Sequence, residues 1–583
     1  MLRVIKRILQ LSPKHAKNIK LAFIFSFLES MFINIPLVVT LMILVRVLNK
    51  ANEHILSLNY INKCALLIFI ALVTQYLLRL LIYHFQSASG YKIFCEERIK
   101  LGNHFKRIAM GYYSNGNIGD ISSIITSDLT FVEMYSMSNL DKVINSFAGI
   151  LISVIFMFYL DYRVSLVAIS ITIPVIVILI NLQKTGNRYS RKRQDTQGEL
   201  VDAVLEYLQG MSVIKAFNLV GDRLSHTKSV FKRVRDKYIE FEKKIIYPNT
   251  LCDILFAIGI GLTILTSIYL YINKQISLPI ILVLLIFIFK VYQPFQAIGV
   301  LTGFIRIMDA CLDRYSEIEN IKVIDKDGTD TKLNNFDIEF HNVSFAYDKT
   351  NVLNNLSFKV AEKSMTALVG HSGCGKTTIT NLIARFWDIE HGEIKIGDVN
   401  IKTLTCDSLL KNISIVFQNV YLFNDTILNN IKFGKANASM SEVIEACKKA
   451  RCHDFITQLE HGYHTVINEA GSNFSGGEKQ RISIARAILK DAPIILLDEA
   501  TANVDPYNEK YIQQAVDELV KNKTLIVIAH RLSTIKKSNQ ILVLEKGRII
   551  EKGNHQQLMN NKGQYFDYWK KREQASGWKI TKQ

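Results

Sequence analysis

GSNFSGGEKQRISIARAILKDAPIILLDEATANVD, Gly471 to Asp505, decides how the chain is read. A Ser-Gly-Gly turn opens a basic helix, which offers backbone N–H groups and a helix N-terminus to phosphate. The apolar run that follows ends in Asp498 and Glu499, the pattern of a buried strand carrying carboxylates at its tip. Upstream, GHSGCGKTT at Gly370 to Thr378 has the spacing Gly, four residues, Gly-Lys-Thr. Glycines let such a loop curl its N–H groups around phosphates, Lys376 adds a point charge, and the Thr377 hydroxyl can hold Mg2+. From Phe336 onward short β-rich runs alternate with helices, so the two motifs belong to an α/β nucleotide domain.

A chain of 583 residues is too long for one core. Apolar residues make up 49% and charged residues 21%, which suggests a membrane part joined to a soluble part. The formal charge of +18 is unevenly placed: Lys and Arg crowd the stretch from Lys184 to Lys244, against Lys50, Arg163 and Lys274 in loops expected on the opposite side. That is the positive-inside asymmetry of a membrane protein, and without aromatic-basic modules no nucleic-acid partner is expected. The eight cysteines show no C-x-x-C pair and read as reduced structural thiols. Cys374 lies inside the phosphate loop, where a thiol reagent would block ATP binding if the loop or Lys376 lowers the thiol's pKa.

Residues 1–18 read as a cytosolic interfacial helix, followed by a transmembrane domain over 19–319. Six apolar stretches near 21–46, 64–85, 143–160, 164–182, 251–272 and 278–297 are long enough to cross roughly 30 Å of hydrocarbon. The cytosolic connections, about 86–142 and 183–250, are long and helix-compatible. Glu29 and Lys290 lie about 15 and 18 Å along their helices at ~1.5 Å per residue, so both are expected near mid-depth of one cavity, contacting substrate or neutralising each other. Arg79 and Asp253 are expected to snorkel, and Asn34, Asn145 and Gln293 are weaker cavity candidates. A linker is expected at 320–335, the ATP-binding cassette at 336–575 and a tail at 576–583.

With FSGGE at Phe474 to Glu478 following the phosphate loop, the chain resembles the ATP-binding cassette transporters over nearly its whole length. The resemblance implies a six-helix transmembrane domain of the exporter type plus an α/β P-loop ATPase cassette, hydrolysing ATP with Mg2+. It implies that Gly370, His371, Ser372, Gly373, Cys374, Gly375, Lys376, Thr377 and Thr378 hold the nucleotide and that Tyr347 stacks on adenine. Thr377, Gln418 and Asp498 would hold Mg2+, partly through water, Gln418 touching either the ion or the attacking water and signalling to the membrane domain, Glu499 would polarise that water and His530 would act as the switch histidine. Gly111 to Leu129 and Gln209 to Arg223 resemble coupling regions that meet a cassette, and Glu469 fits a cross-link loop.

The resemblance also implies a dimer, identical or mixed, because Ser475, Gly476, Gly477 and Glu478 of one chain face the phosphate loop of another. Phe474, Glu478 and Ala502-Asn503-Val504 depart from the commoner pattern, which leaves communication through Asp505 in question. KSMTALVGHSGCGKTT, YLQGMSVIKAF and SGGEKQRISIARAILKDAP look like half-transporters of ferric-siderophore uptake, the yersiniabactin importers among them. Export of a lipophilic compound or peptide, and a membrane-tethered regulatory ATPase, are the alternatives. The expected location is a bacterial inner membrane, multi-pass, with the cassette in the cytoplasm.

Overall fold

The computed structural model describes residues 2–48, 57–114, 117–218, 225–347, 350–468, 471–498, 506–528 and 535–576. It divides into two units, Met1–Lys106 with Gly116–Ile321, and Arg107–Asn115 with Lys322–Gln583.

The first unit is helical: α1 Leu2–Leu11, α2 Pro13–Phe32, α3 Ile35–Leu48 and α4 Leu58–Phe105 come first. After α5, Met110–Ser114, which belongs to the second unit, follow α6 Ile118–Ser123, α7 Leu129–Leu160, α8 Tyr162–Gln209, α9 Met211–Ala216, α10 Ser225–Ile272 and α11 Leu278–Glu319. Six of the described helical stretches are long and apolar enough to cross a membrane, beginning at Pro13, Leu58, Ile118, Tyr162, Thr227 and Leu278. Large apolar side chains such as Phe69, Ile155 and Leu265 face outward. Such a surface suits lipid rather than water, and helices satisfy their backbone internally, as hydrocarbon requires. At 48 residues each, α4, α8 and α10 run about 72 Å, far beyond the hydrocarbon.

α1 does not lie free at an interface. Val4, Ile5 and Ile8 are buried, and Arg7 pairs with Asp309 at 2.8 Å and Asp313 at 2.6 Å on α11. The first span breaks between α2 and α3, at Ile33–Asn34. Pro36 has no N–H, and the Leu37 N–H goes to the Asn34 carbonyl at 3.1 Å, so the Ile33 carbonyl has no helical donor.

The cassette has two sheets. β1 Ile338–Tyr347, β2 Thr350–Val360, β4 His391–Ile396 and β5 Val399–Asn400 form an antiparallel sheet in the order β2-β1-β4-β5. β3 Met365–Gly370, β6 Ile413–Val416, β7 Ile494–Asp498, β8 Thr524–Ile528, β9 Gln540–Glu545 and β10 Arg548–Gly553 form the other, ordered β10-β9-β3-β8-β7-β6. Only β10 is antiparallel in it. β7 and β8 are continuously apolar because helices cover both faces of a parallel sheet. The helices are α12 Lys376–Ile383, α13 Cys406–Lys411, α14 Ile427–Lys432, α15 Met440–Lys449, α16 His453–Thr457, α17 Gly476–Lys490 and α18 Pro506–Leu519, with two more at the C-terminus, His555–Asn561 and Gln564–Ser576.

The stretch 322–335 is hydrogen-bonded to the cassette. The Thr329 N–H reaches the Thr403 carbonyl at 2.8 Å, and Asp325 accepts from the Cys406 N–H at 2.9 Å. Burial and the Asp325 carboxylate push the Cys406 thiol up to about 11.

Candidate functional site

In the parallel sheet β8 lies between β3 and β7, so the C-terminal ends of β3 and β7 open on one crevice, where open α/β sheets bind ligands. β3 ends at Gly370, whose φ of +155° only glycine adopts easily, and a Cβ there would stand 2.8 Å from the Cys374 sulfur. The loop then turns through Gly373 and Gly375, at φ +79° and +104°, into α12.

A cavity of about 420 Å³ lies at this crevice. Tyr347, Ser372, Gly373, Gly375, Lys376, Thr377, Thr378, Gln418 and Asp498 line it, together with Val352 and Ile528. Nine positions named from motif or resemblance thus surround one hollow, although Tyr347 and Asp498 are separated by most of the cassette sequence. Val352 and Ile528 are apolar strand residues with no motif to single them out. The Lys376 ammonium donates to the Gly370 carbonyl at 3.0 Å and the His371 carbonyl at 2.8 Å, which holds the side chain along its own loop. Thr377, Gln418 and Asp498 contribute a hydroxyl, an amide and a carboxylate, the oxygen donors a hard divalent cation takes.

Other expected members sit elsewhere. The His371 ring packs edge-on against Tyr568, with ring centres 4.8 Å apart. Cys374 is buried in the core behind the loop, so the expected access of a thiol reagent is corrected: the sulfur fills the hollow that Gly370 leaves. Tyr347 stands edge-on to Phe345 and Trp387, with centres 4.8 and 5.2 Å away. Glu499 and His530 lie outside the described residues, as do Glu469, Ala502, Asn503, Val504 and Asp505.

Ser475, Gly476, Gly477 and Glu478 do not line the cavity; they start α17. Glu478 closes a capping box there. Its carboxylate accepts from the Ser475 N–H and hydroxyl, both at 2.8 Å, while the Glu478 N–H donates back to the Ser475 oxygen at 3.3 Å. Further along α17, Arg486 holds the segment after Gln418 in place, donating to the Asn430 carbonyl and side-chain oxygen, each at 2.6 Å, and to the Tyr421 carbonyl at 2.9 Å. Burial pushes the Arg486 guanidinium down to about 10.

In the membrane unit, a second cavity of about 230 Å³ is lined by Ile33, Asn34, Asn145, Lys290, Gln293 and neighbours on α7 and α11. Lys290 donates to the Asn34 side chain at 3.3 Å and to the unsatisfied Ile33 carbonyl at 3.4 Å. Glu29 does not line this cavity. It accepts from Arg79 at 3.3 Å and from Asn145 at 3.4 Å, and Arg79 also holds Asp141 at 2.8 Å. The snorkelling expected of Arg79 is therefore corrected, because carboxylates on α2 and α7 keep it inside the bundle. The pairing of Glu29 with Lys290 is corrected with it.

The family profile described as ABC transporter matches residues 353–502, and that described as ABC transporter transmembrane region matches 21–295. The chain is 36% identical to the ATP-dependent lipid A-core flippase of Legionella pneumophila strain Paris, over 80% of both chains. The chain belongs to the ABC transporters. A second relative, the ATP-dependent lipid A-core flippase of Syntrophus aciditrophicus, is 33% identical to this ABC transporter over 82% of its chain and 80% of the relative. A solved bacterial Atm1-family ABC exporter with ATP bound shares its fold, with a TM-score of 0.84 at 24% identity, covering 98% of this chain and 100% of that one. This ABC transporter is a multi-pass membrane protein with an ATP-binding cassette, and its ATP hydrolysis drives transport.

Proposed function

We propose that this transporter moves an amphipathic, lipid-like molecule outward across a bacterial inner membrane, as a dimer in which each chain contributes one cassette. The observation that carries the reading is its similarity to two ATP-dependent lipid A-core flippases over four-fifths of their length. The membrane-unit cavity suits such a cargo, since Asn34, Asn145, Gln293 and the Lys290 ammonium stand beside apolar Ile33, Pro294 and Ala297. The siderophore-uptake reading finds no support in these relatives. Its motif runs lie largely in the cassette, which reports ATP hydrolysis and not cargo.

In this reading the loop from Gly370 to Thr378 binds the ATP phosphates through N–H groups and Lys376, and Tyr347 stacks on the base. Thr377, Gln418 and Asp498 hold Mg2+, which neutralises charge on the phosphates. Glu499 orients the attacking water and His530 contacts the γ-phosphate, as the resemblance implies. Ser475, Gly476 and Gly477 of one chain complete the site of the other, with Glu478 setting the Ser475 geometry through its cap.

The test is ATP hydrolysis and flipping in proteoliposomes offered lipid A, a labelled phospholipid or a ferric siderophore. Lipid-stimulated hydrolysis and outward flipping, both lost in Glu499→Gln and Lys376→Ala by roughly 100-fold or more, are expected. Accumulation driven by the siderophore alone would restore the import reading, and hydrolysis indifferent to every cargo would favour a regulator.

A further inference from the structure

α12 begins at Lys376, in the nucleotide cavity, and ends at Ile383 with Ala384 as its cap, after which the chain closes tightly. The Arg385 N–H reaches the Leu382 carbonyl and the Phe386 N–H the Asn381 carbonyl, both at 3.0 Å. Arg385 takes a left-handed backbone, φ +52°, and its side chain is 4% exposed. Its guanidinium is surrounded by carbonyls. Nη1 donates to Ile401 at 3.1 Å and Leu404 at 2.6 Å, Nη2 donates to Ile324 at 2.8 Å, and Nε pairs with Asp388 at 2.9 Å.

Ile324 is bonded on both sides. Its carbonyl accepts from Arg385, and its N–H donates to the Arg107 carbonyl at 2.8 Å. Beside it Ile108 and Val323 form an antiparallel bridge, and Ile108 is 5% exposed. The Met110 N–H then donates to the Phe386 carbonyl at 2.9 Å, one residue beyond Arg385. Trp387 follows, with one face of its indole set against Tyr347 of the cavity and its Nε1 so near Gly111 that a Cβ there would stand 2.8 Å away. Arg107–Asn115 belongs to the cassette unit for these reasons, although the chain enters and leaves it from the membrane unit.

We propose that Arg385 is a positioning residue for coupling. By clamping Ile324 it makes the bridged pair Val323–Ile324 a splint for Arg107–Met110, so that this segment moves as part of α12 when the phosphates shift that helix. Trp387 steadies the same segment from the base side of the cavity. The proposal rests on the ATP-driven transport reading, and it adds the route by which the cassette grips the first cytosolic connection. Arg385 touches neither the cavity nor its lining, so its loss separates hydrolysis from transmission.

The experiment uses the full chain in lipid nanodiscs, with amide hydrogen exchange followed by mass spectrometry and ATP hydrolysis measured in parallel. In Arg385→Gln, exchange over Arg107–Tyr113 and at Ile324 is expected to rise about tenfold, while β3 and α17 keep wild-type protection. Hydrolysis in detergent stays within about twofold of wild type, and vanadate-trapped Mg-ATP no longer changes exchange in α4 and α7. Gly111→Val, which attacks the Trp387 contact at the edge of the cassette core, gives the same split. Unchanged exchange over Arg107–Tyr113 in Arg385→Gln overturns the proposal, as does hydrolysis that falls in step with it while β3 stays protected. If Arg385→Gln unfolds the cassette, Gly111→Val decides alone: a nucleotide response preserved in α4 and α7 rejects the clamp. A wild type without ATP hydrolysis defeats the transport reading, yet exchange over Arg107–Tyr113 still reports whether the clamp exists.

Discussion

The two units solve the same problem, a cation partly or wholly withdrawn from solvent, in different ways. In the membrane unit the cations Arg79 and Arg7, half-buried, and Arg314, buried, find carboxylates: Arg79 takes Glu29 and Asp141, Arg7 takes Asp309 and Asp313, and Arg314 takes Asp128 at 3.0 Å and Asp120 at 3.1 Å. In the cassette they find mainly backbone carbonyls, with the Asp388 carboxylate added at Arg385 and the Asn430 side chain at Arg486: Arg385 and Arg486 as described, and Lys490 on Leu410 at 2.8 Å and Ile413 at 2.6 Å. The cause is the supply of acceptors. A long helix uses its carbonyls in its own ladder, whereas strand ends, turns and helix C-termini leave them free. Lys290 shows the rule from the other side, since it reaches a carbonyl in the membrane unit at Ile33, where Pro36 breaks the ladder. Arg306 is the exception, donating to the Leu182 carbonyl at 3.0 Å inside α8 with its Nε left unpaired.

The sharpest challenge to this contrast is Arg79→Leu, which leaves two carboxylates facing each other among α2, α4 and α7. A loss of about 3–5 kcal/mol is expected, read as a fall in the thermal unfolding midpoint in detergent, with Arg79→Lys recovering part of it. A stable Arg79→Leu protein would break the comparison. Arg486→Met removes a cation but strands only neutral acceptors, so a smaller loss, about 1.5–3 kcal/mol, is expected. Denaturant unfolding of the purified chain, followed by the exchange of α14 and α17, measures it. A larger loss than that of Arg79→Leu would reverse the ranking.

Pro36→Ala supplies the missing N–H at residue 36, whose helical acceptors are the Phe32 carbonyl four residues back and, in a tighter turn, the Ile33 carbonyl three back. Stability is expected to change by less than about 1 kcal/mol, since proline near a helix start is well tolerated, and a protected amide at residue 36 would show that the ladder has been restored. The smallest effect belongs to a surface pair. Hydrogen bonding to Lys435 and the Ser439 cap draws the Glu442 carboxyl down from 4.5 to about 2. Its folded value is depressed, so its contribution is full above pH 4.5 and disappears as pH falls through about 2. Lys435→Ala should move that midpoint upward in a carboxylate-resolved NMR titration.

The architecture was legible because its signals are local. Six apolar runs, the phosphate-loop spacing and the apolar strand ending at Asp498 each declare themselves within a short window, and the fold follows from them. The surroundings of the buried charges were not legible. Arg79 meets Asp141 across 62 residues, and nothing in the α4 sequence marks which way it points. Arg385 was missed for a deeper reason: its partners are carbonyls, which every residue carries, so no residue type announces the contact. The same limit applies to cargo, because the strongest motifs describe how ATP is held and say nothing of what is moved.

The fit of the Cys374 sulfur behind Gly370 narrows the paths by which this loop can change. A side chain at position 370 would meet both that sulfur and the Leu544 carbonyl, so shrinking residue 374 alone does not make room for it. A bulkier residue at 374 has to be fitted into the packed cassette core that the buried Cys374 belongs to. The two positions are therefore tied in their variation. Single substitutions at 374 that keep this packing are confined to small, uncharged side chains.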